Sequence, residues 1–324
     1  MCLDRKSSNM SDFDPASLPD LSGKVYLVTG GNAGIGFETV RFLALKNATV
    51  YIGCRSPEKG NTAIATIKAK NPTAKIHLLI LDHMDLSSVV SAAKELTTKE
   101  KQLHGIINNA GIMAVPFAKS KDGYESQWQT NYIAHALLTH HLLPLLLSTA
   151  RASKPGDVRV VNVSSMGHRA APKAGIDFAD INQEKGSIWT RYGQSKLGNI
   201  LNAKEINRLY GPNGTKKEEG EIWGMALHPG NMYTDLNKNA KFAGPLSGAV
   251  VKMLNALGTY IPVEKGAYTT VYCAASEKVT PQMAGEYFVP LGKLGKPSKL
   301  ANNADLATKL WAWTEKEFER KELL

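Results

Sequence analysis

The sequence predicts an α/β protein, built as one doubly wound parallel sheet with helices on both faces. Three observations carry this. Short apolar runs recur at regular intervals, and amphipathic helical patterns separate them. No two-residue hairpin signal joins one apolar run to the next. The first run ends in a glycine-rich turn that leads directly into a helix, "KVYLVTGGNAGIG" at 24–36. Strands that alternate with helices must cross over to pair, so a parallel sheet follows.

The elements read in order. After the strand at 24–31 come a helix, "IGFETVRFLALKN", and a second strand, "ATVYIGCR". A helix, "EKGNTAIATIKAKN", leads to the strand "KIHLLILD" and then to the helix "LSSVVSAAKELTTK". "LHGIINNAG" is the fourth strand, and "YESQWQTNYIAHALLTHHLLPLLLSTA" is a long apolar helix. "DVRVVNVSS" is a strand, followed at a distance by the helix "YGQSKLGNILNAKEINRLY" and the strand "EIWGMALHPG". "GEYFVP" reads as a last strand and "ADLATKLWAWTEKEFER" as a last helix. Residues 166–190 and 211–220 read as loops. No repeat or linker divides the chain. Residues 1–20 read as a flexible lead-in, and 21–324 as a single domain.

Bulk properties narrow the function. The 324 residues are 43% hydrophobic, enough for a full core, and carry a net charge of +10. The Lys and Arg residues are dispersed without a nucleic-acid motif, so a solvated basic surface is expected, not a nucleic-acid partner. Three cysteines, Cys2, Cys54 and Cys273, form no disulfide or zinc pattern and suit a reducing compartment. The start lacks the apolar core of a secretion signal, and a cytoplasmic location is expected. His140 and His141 lie on a helix without carboxylates at ligand spacing, so no metal is expected. The apolar stretch 242–263 holds Gly, Pro and a central Lys and makes a poor span; a buried helix or a lid is favoured over shallow membrane contact.

Gly30, Gly34 and Gly36, with Asn32 and Ile35 between them, fall at the first strand-to-helix turn. Glycine there permits a tight turn and lets backbone approach a pyrophosphate on the positive helix N-terminus. The alternative is a purely structural turn. The second strand ends at Cys54, where an NAD site would carry an acid for the ribose 2′-hydroxyl. Arg55 stands there instead, with Lys59 one turn on. A guanidinium suits a 2′-phosphate, so NADP(H) is the expected cofactor. Asp82, after the third strand, is placed for the adenine edge, and His83 beside it offers backbone and ring. Both could equally cap the next helix.

Tyr192 and Lys196 lie one helical turn apart, on one face. They are either a surface pair or an activated acid. "TGGNAGIG", "NNAG" at 108–111, Asn131 in "QTNY", "NVSS" at 162–165, "YGQSK" at 192–196 and "HPG" at 228–230 occur in this order at predicted strand ends. Together they resemble the short-chain dehydrogenase/reductase family, with its Rossmann-type fold. They are most similar to its retinol-dehydrogenase and WW-domain-oxidoreductase-like branch, including fungal relatives. The resemblance covers about Gly23 to Pro290.

It implies that Tyr192 is the proton donor or acceptor and Lys196 the ammonium that lowers the phenol pKa and holds the nicotinamide ribose. Ser165 would hydrogen-bond the substrate oxygen, and Asn131 would join a water relay to Lys196. Asn109, Ala110, Gly111, Pro229, Gly230, Met232 and Thr234 would complete the cofactor site. His228 is expected to pack at the strand end. The 27-residue interval from Ser165 to Tyr192 exceeds that of most members. It leaves the catalytic assignment intact but not specificity by analogy.

The expected activity is an NADP(H)-dependent interconversion of a ketone or aldehyde and an alcohol. The small-molecule substrate is expected to be apolar, a lipid, terpenoid or polyketide-like compound of secondary metabolism. A lid at about 235–265, with Leu236, Phe242, Leu246, Val250, Met253, Leu254 and Leu257, would cover it; core packing is an equal reading of those residues. A silent cofactor-binding sensor or scaffold, or a lyase or isomerase on the same fold, stays open as an alternative. A monomer or homodimer is expected.

Overall fold

The computed structural model describes residues 13–232 and 261–324. The predicted lid, apart from its last residues, lies outside them, as does Thr234.

Six strands alternate with helices as the sequence predicts. They are β1 Val25–Thr29, β2 Thr49–Cys54, β3 Lys75–Ile80, β4 Gly105–Asn108, β5 Arg159–Val163 and β6 Trp223–Leu227. Between them run α1 Gly34–Leu45, α2 Pro57–Lys70, α3 Leu86–Lys99, α4 Ser126–Arg151 and α5 Ile188–Tyr210. After these come α6 Val263–Ala275, β7 Tyr287–Val289, β8 Lys293–Leu294 and α7 Ala304–Arg320. The sheet order is β3-β2-β1-β4-β5-β6-β7-β8. β1 to β7 pair in parallel.

Strand alternation splits the core in two. Val25 and Leu27 face one side with residues of α3, α4, α5 and α7. Tyr26 and Val28 face the other with residues of α1, α2 and α6. Caps start the helices cleanly. Ser56 accepts from Lys59 N at α2, Asp85 from Ser87 N and Ser88 N at α3, Ser187 from Thr190 N at α5, and Asn303 from Leu306 N at α7.

Two elements differ from expectation. The sheet is not wholly parallel: β7 turns through Pro290–Gly292 and pairs antiparallel with β8. Leu291 (φ 68°) and Gly292 (φ 75°) both turn left-handed there, a tight reversal that "PLG" hides. The helix α6 packs on α1, where the sequence offered only the tail of a lid. α4 is long and apolar enough to cross a membrane by composition, yet two-thirds of its apolar window is buried within the fold.

Strand order reverses between β1 and β4, because the chain winds outward from β1 first one way and then the other. The carboxyl ends of these strands therefore part into a crevice, the ligand position of open α/β sheets.

Candidate active site

The crevice is a cavity of about 960 Å³ above the ends of β1, β2, β4, β5 and β6. Its floor is built from backbone. Gly30 (φ 65°) leaves β1 left-handed, and its N–H donates to Gly53 O at 2.7 Å. Gly36 opens α1 so close to this turn that a Cβ would lie 2.3 Å from Gly30 O. The helix N-terminus is thereby pressed against the turn, with Asn32, Gly34 and Ile35 lining the cavity. Gly36 does not line it; its smallness sets how closely the helix approaches.

Thr29 ties this turn to the one after β4. Its Oγ1 accepts from Asn109 N and Ala110 N, each at 2.9 Å, and Asn109 Nδ2 donates to Thr29 O at 2.8 Å. Asn109, Ala110 and Gly111 all line the cavity. Arg55, exposed, and Asp82 and His83 line one end. Lys59 is exposed on α2 and does not line the cavity. Asp82 accepts from Met84 N at 2.9 Å, which shapes the loop before α3. Pro229, Gly230 and Met232 line the other end, with Met232 packed against Gly266 of α6. His228 is buried, as expected at a strand end, but it also lines the cavity, and its Nδ1 has no partner among the described residues.

Between these ends, Ser165, Tyr192 and Lys196 come together. A side-chain hydrogen bond links Tyr192 to Ser165, whose Oγ accepts from Gly167 N at 3.0 Å. Ser164 also lines the cavity, but its Oγ donates to Lys196 O at 2.7 Å. The Lys196 ammonium donates to Val163 O at 2.9 Å and lies 6.0 Å from the Tyr192 ring centroid. Burial pushes the Tyr192 phenol up to about 12, with the Ser165 bond partly offsetting it. Burial likewise brings Lys196 down to about 7. The expected lowering of the phenol pKa by the ammonium does not appear. The lysine points to the strand carbonyl, and desolvation dominates both groups.

Asn131 is fully buried. Its Oδ1 accepts from Ile112 N at 2.9 Å; its Nδ2 donates to Ile112 O at 3.0 Å and Ser195 Oγ at 2.9 Å. It sits in a single π-helical turn, Gln129–Ile133, inside α4. Such turns re-aim one side chain at the cost of regular pairing. Here the turn places the amide across the segment after Gly111.

The sequence reading missed several partners. His135 bridges Thr29 and His83, and His168 holds the Ser165 carbonyl at 2.7 Å. Thr130 lines the cavity with a buried hydroxyl that has no partner among the described residues. His135 falls one turn after Asn131, a spacing that could have flagged it. His168 lies in the long loop and carries no sequence signal.

Fold and site together define an α/β protein with a nucleotide-type crevice and a Ser–Tyr–Lys cluster beside it. The family model of short chain dehydrogenases matches residues 24–242. The chain is 53% identical over 312 residues to the short-chain dehydrogenase/reductase drtF of Aspergillus calidoustus, covering 96% of this chain and 98% of that one. A crystal structure of an uncharacterized protein from Mycobacterium paratuberculosis superposes with a TM-score of 0.72 at 30% identity, covering 95% and 98% of the two chains. A short chain dehydrogenase from Burkholderia cenocepacia J2315 in complex with NADP shares the fold, with a TM-score of 0.61 at 23% identity and coverage of 88% and 100%. The chain belongs to the short-chain dehydrogenase/reductase family of oxidoreductases, among relatives that are mostly fungal.

Proposed function

We propose that the protein is an NADP(H)-dependent oxidoreductase that interconverts a ketone or aldehyde and an alcohol on an apolar small molecule, such as a lipid, terpenoid or polyketide-like compound. The observation that carries this is the convergence of Ser165, Tyr192 and Lys196 on one wall of a cavity whose far end holds Arg55. The cradle fits a dinucleotide. The close approach of Gly36 to Gly30 sets the N-terminus of α1 where a pyrophosphate would sit. Arg55 would pair with a 2′-phosphate. A family relative with NADP bound supports that choice.

Bound NADP(H) would supply or take the hydride. In reduction, the Ser165 hydroxyl would donate to the substrate oxygen as charge develops there, and the Tyr192 phenol would pass it a proton. A phenol held neutral by burial keeps that proton until the oxygen becomes basic. Lys196, held at Val163 O, would turn to the ribose hydroxyls.

Tyr192→Phe should lower turnover by about a hundredfold or more while NADPH still binds. Loss of nicotinamide absorbance over a panel of apolar carbonyl compounds reads it; full turnover by the variant would remove the mechanism. Arg55→Glu should weaken NADPH binding by about tenfold or more and leave NADH binding nearly unchanged. Equal losses in fluorescence titrations would remove the cofactor choice.

A further inference from the structure

The hairpin of β7 and β8 and the turn after Ser165 meet beside the crevice. Pro290 packs against Gly230, a cavity residue, where a Cβ would lie 3.0 Å from Pro290 Cγ. Further along, Ser298 N donates to His168 Nε2 at 3.0 Å, and Arg169 donates to Lys296 O at 2.6 Å. Residues 173–175 join the same surface, since a Cβ at Gly175 would lie 3.5 Å from Leu300 Cδ2.

This surface carries one sign of charge. Residues 166–176 and 287–304 hold five Lys and Arg residues and no Asp or Glu. Asp177, next in the chain, spends its carboxylate on Ala179 N, Asp180 N and Gln183 Nε2. Arg169, Lys173, Lys296 and Lys299 are exposed. None of these four has an ion-pair partner among the described residues, whereas Lys24, Lys99, Lys119 and Lys121 each meet a carboxylate. Two of the three most exposed large apolar side chains among the described residues stand in the same segments, Met166 at 55% and Leu294 at 51%.

Cations around exposed apolar side chains match an anionic bilayer, which takes charge at its headgroups and apolar groups at the acyl boundary. A merely solvated basic surface has no use for the Leu and Met. A single-stranded nucleic acid would look for stacking rings, and the aromatic residues of these segments, Tyr287 and Phe288, are buried.

We propose that this face docks the protein on an anionic lipid bilayer, with Arg169, Lys173, Lys296 and Lys299 against the headgroups and Met166 and Leu294 entering the acyl boundary. Docking there sets the crevice beside the membrane surface. The proposal does not rest on the redox reading, because docking is measured without cofactor or turnover.

The test is co-sedimentation of the whole protein with vesicles of phosphatidylcholine and phosphatidylserine in equal parts, and with vesicles of phosphatidylcholine alone. The protein should bind the first and not the second. The triple variant Lys173→Glu, Lys296→Glu, Lys299→Glu should lower partitioning about a hundredfold or more. Lys68→Glu, Lys70→Glu, Lys75→Glu makes the same change in net charge near β3, at the opposite edge of the sheet, and should keep most of the binding. Leu294→Ser leaves the charge alone and should lower partitioning about tenfold. No binding to the mixed vesicles overturns the proposal. Equal losses in the two triple variants overturn it too, since net charge alone would then explain the binding. Binding that Leu294→Ser leaves untouched makes the face a site for any polyanion, an acidic protein included, and overturns the bilayer assignment. Should a variant fail to fold, the wild type still decides: its binding should fall steeply with added salt, and binding indifferent to salt overturns the proposal.

Discussion

Lys196 is a cation placed where a cation is costly. It is 5% exposed, its ammonium donates to Val163 O, and burial brings its pKa down to about 7 from the usual 10.5. Between those values the unfolded chain binds a proton that the folded chain releases. Stability from this group is therefore fully present above pH 10.5 and is lost as pH falls toward 7. Lys196→Met removes the effect. The wild type should gain on that variant by up to about 1.4 kcal/mol per pH unit between pH 7 and 9. Urea denaturation of both proteins at the two pH values measures this. Parallel changes would show that the lysine keeps its ordinary pKa. Its spacing from Tyr192 was legible in the sequence; its direction was not, because the Val163 carbonyl that receives it comes from a strand 33 residues earlier.

At the scale of elements, the 3-10 turn Met166–Ala170 packs directly on the Tyr192 ring. A Cβ at Gly167 would sit 2.6 Å from Tyr192 Cε1. Gly167→Ala should therefore displace the phenol and lower kcat about tenfold or more while leaving NADPH affinity unchanged. Steady-state kinetics beside a binding titration separate the two; an unchanged kcat would show that the ring yields freely. The strands and long helices were readable because alternation and helical periodicity are local consequences of burial. The π turn at Gln129–Ile133 was not, since one extra residue in a wholly buried stretch leaves no periodic trace. α6 was hidden by the apolar run before it, and β8 by its two-residue length. The candidate site was legible as motifs at strand ends. Its supporting hydrogen bonds, such as Thr29 to His135, join residues 106 apart and were not.

Across the whole molecule, residues 296–298 return to the site. His168 donates through Nδ1 to Ser165 O at 2.7 Å, and its Nε2 accepts from Ser298 N at 3.0 Å. Arg169 reaches Lys296 O at 2.6 Å. Both partners lie beyond the matched family region, which ends at 242. His168→Leu should lower Tm by about 3 °C or more, since it strands the half-buried Ser298 amide and the Ser165 carbonyl. Hydrogen exchange should quicken over 293–300 as well as over 165–170; quickening confined to the second stretch would show that the two segments are independent. This clasp also sets an order of events during synthesis. A nascent chain can form β1 to β6 and gather Ser165, Tyr192 and Lys196 while residues 296–298 are still in the ribosome. The turn behind Ser165 is fastened only once Ser298 has emerged. Synthesis would then shape the crevice early and fasten the turn behind its Ser–Tyr–Lys cluster late, once the segment around Ser298 follows.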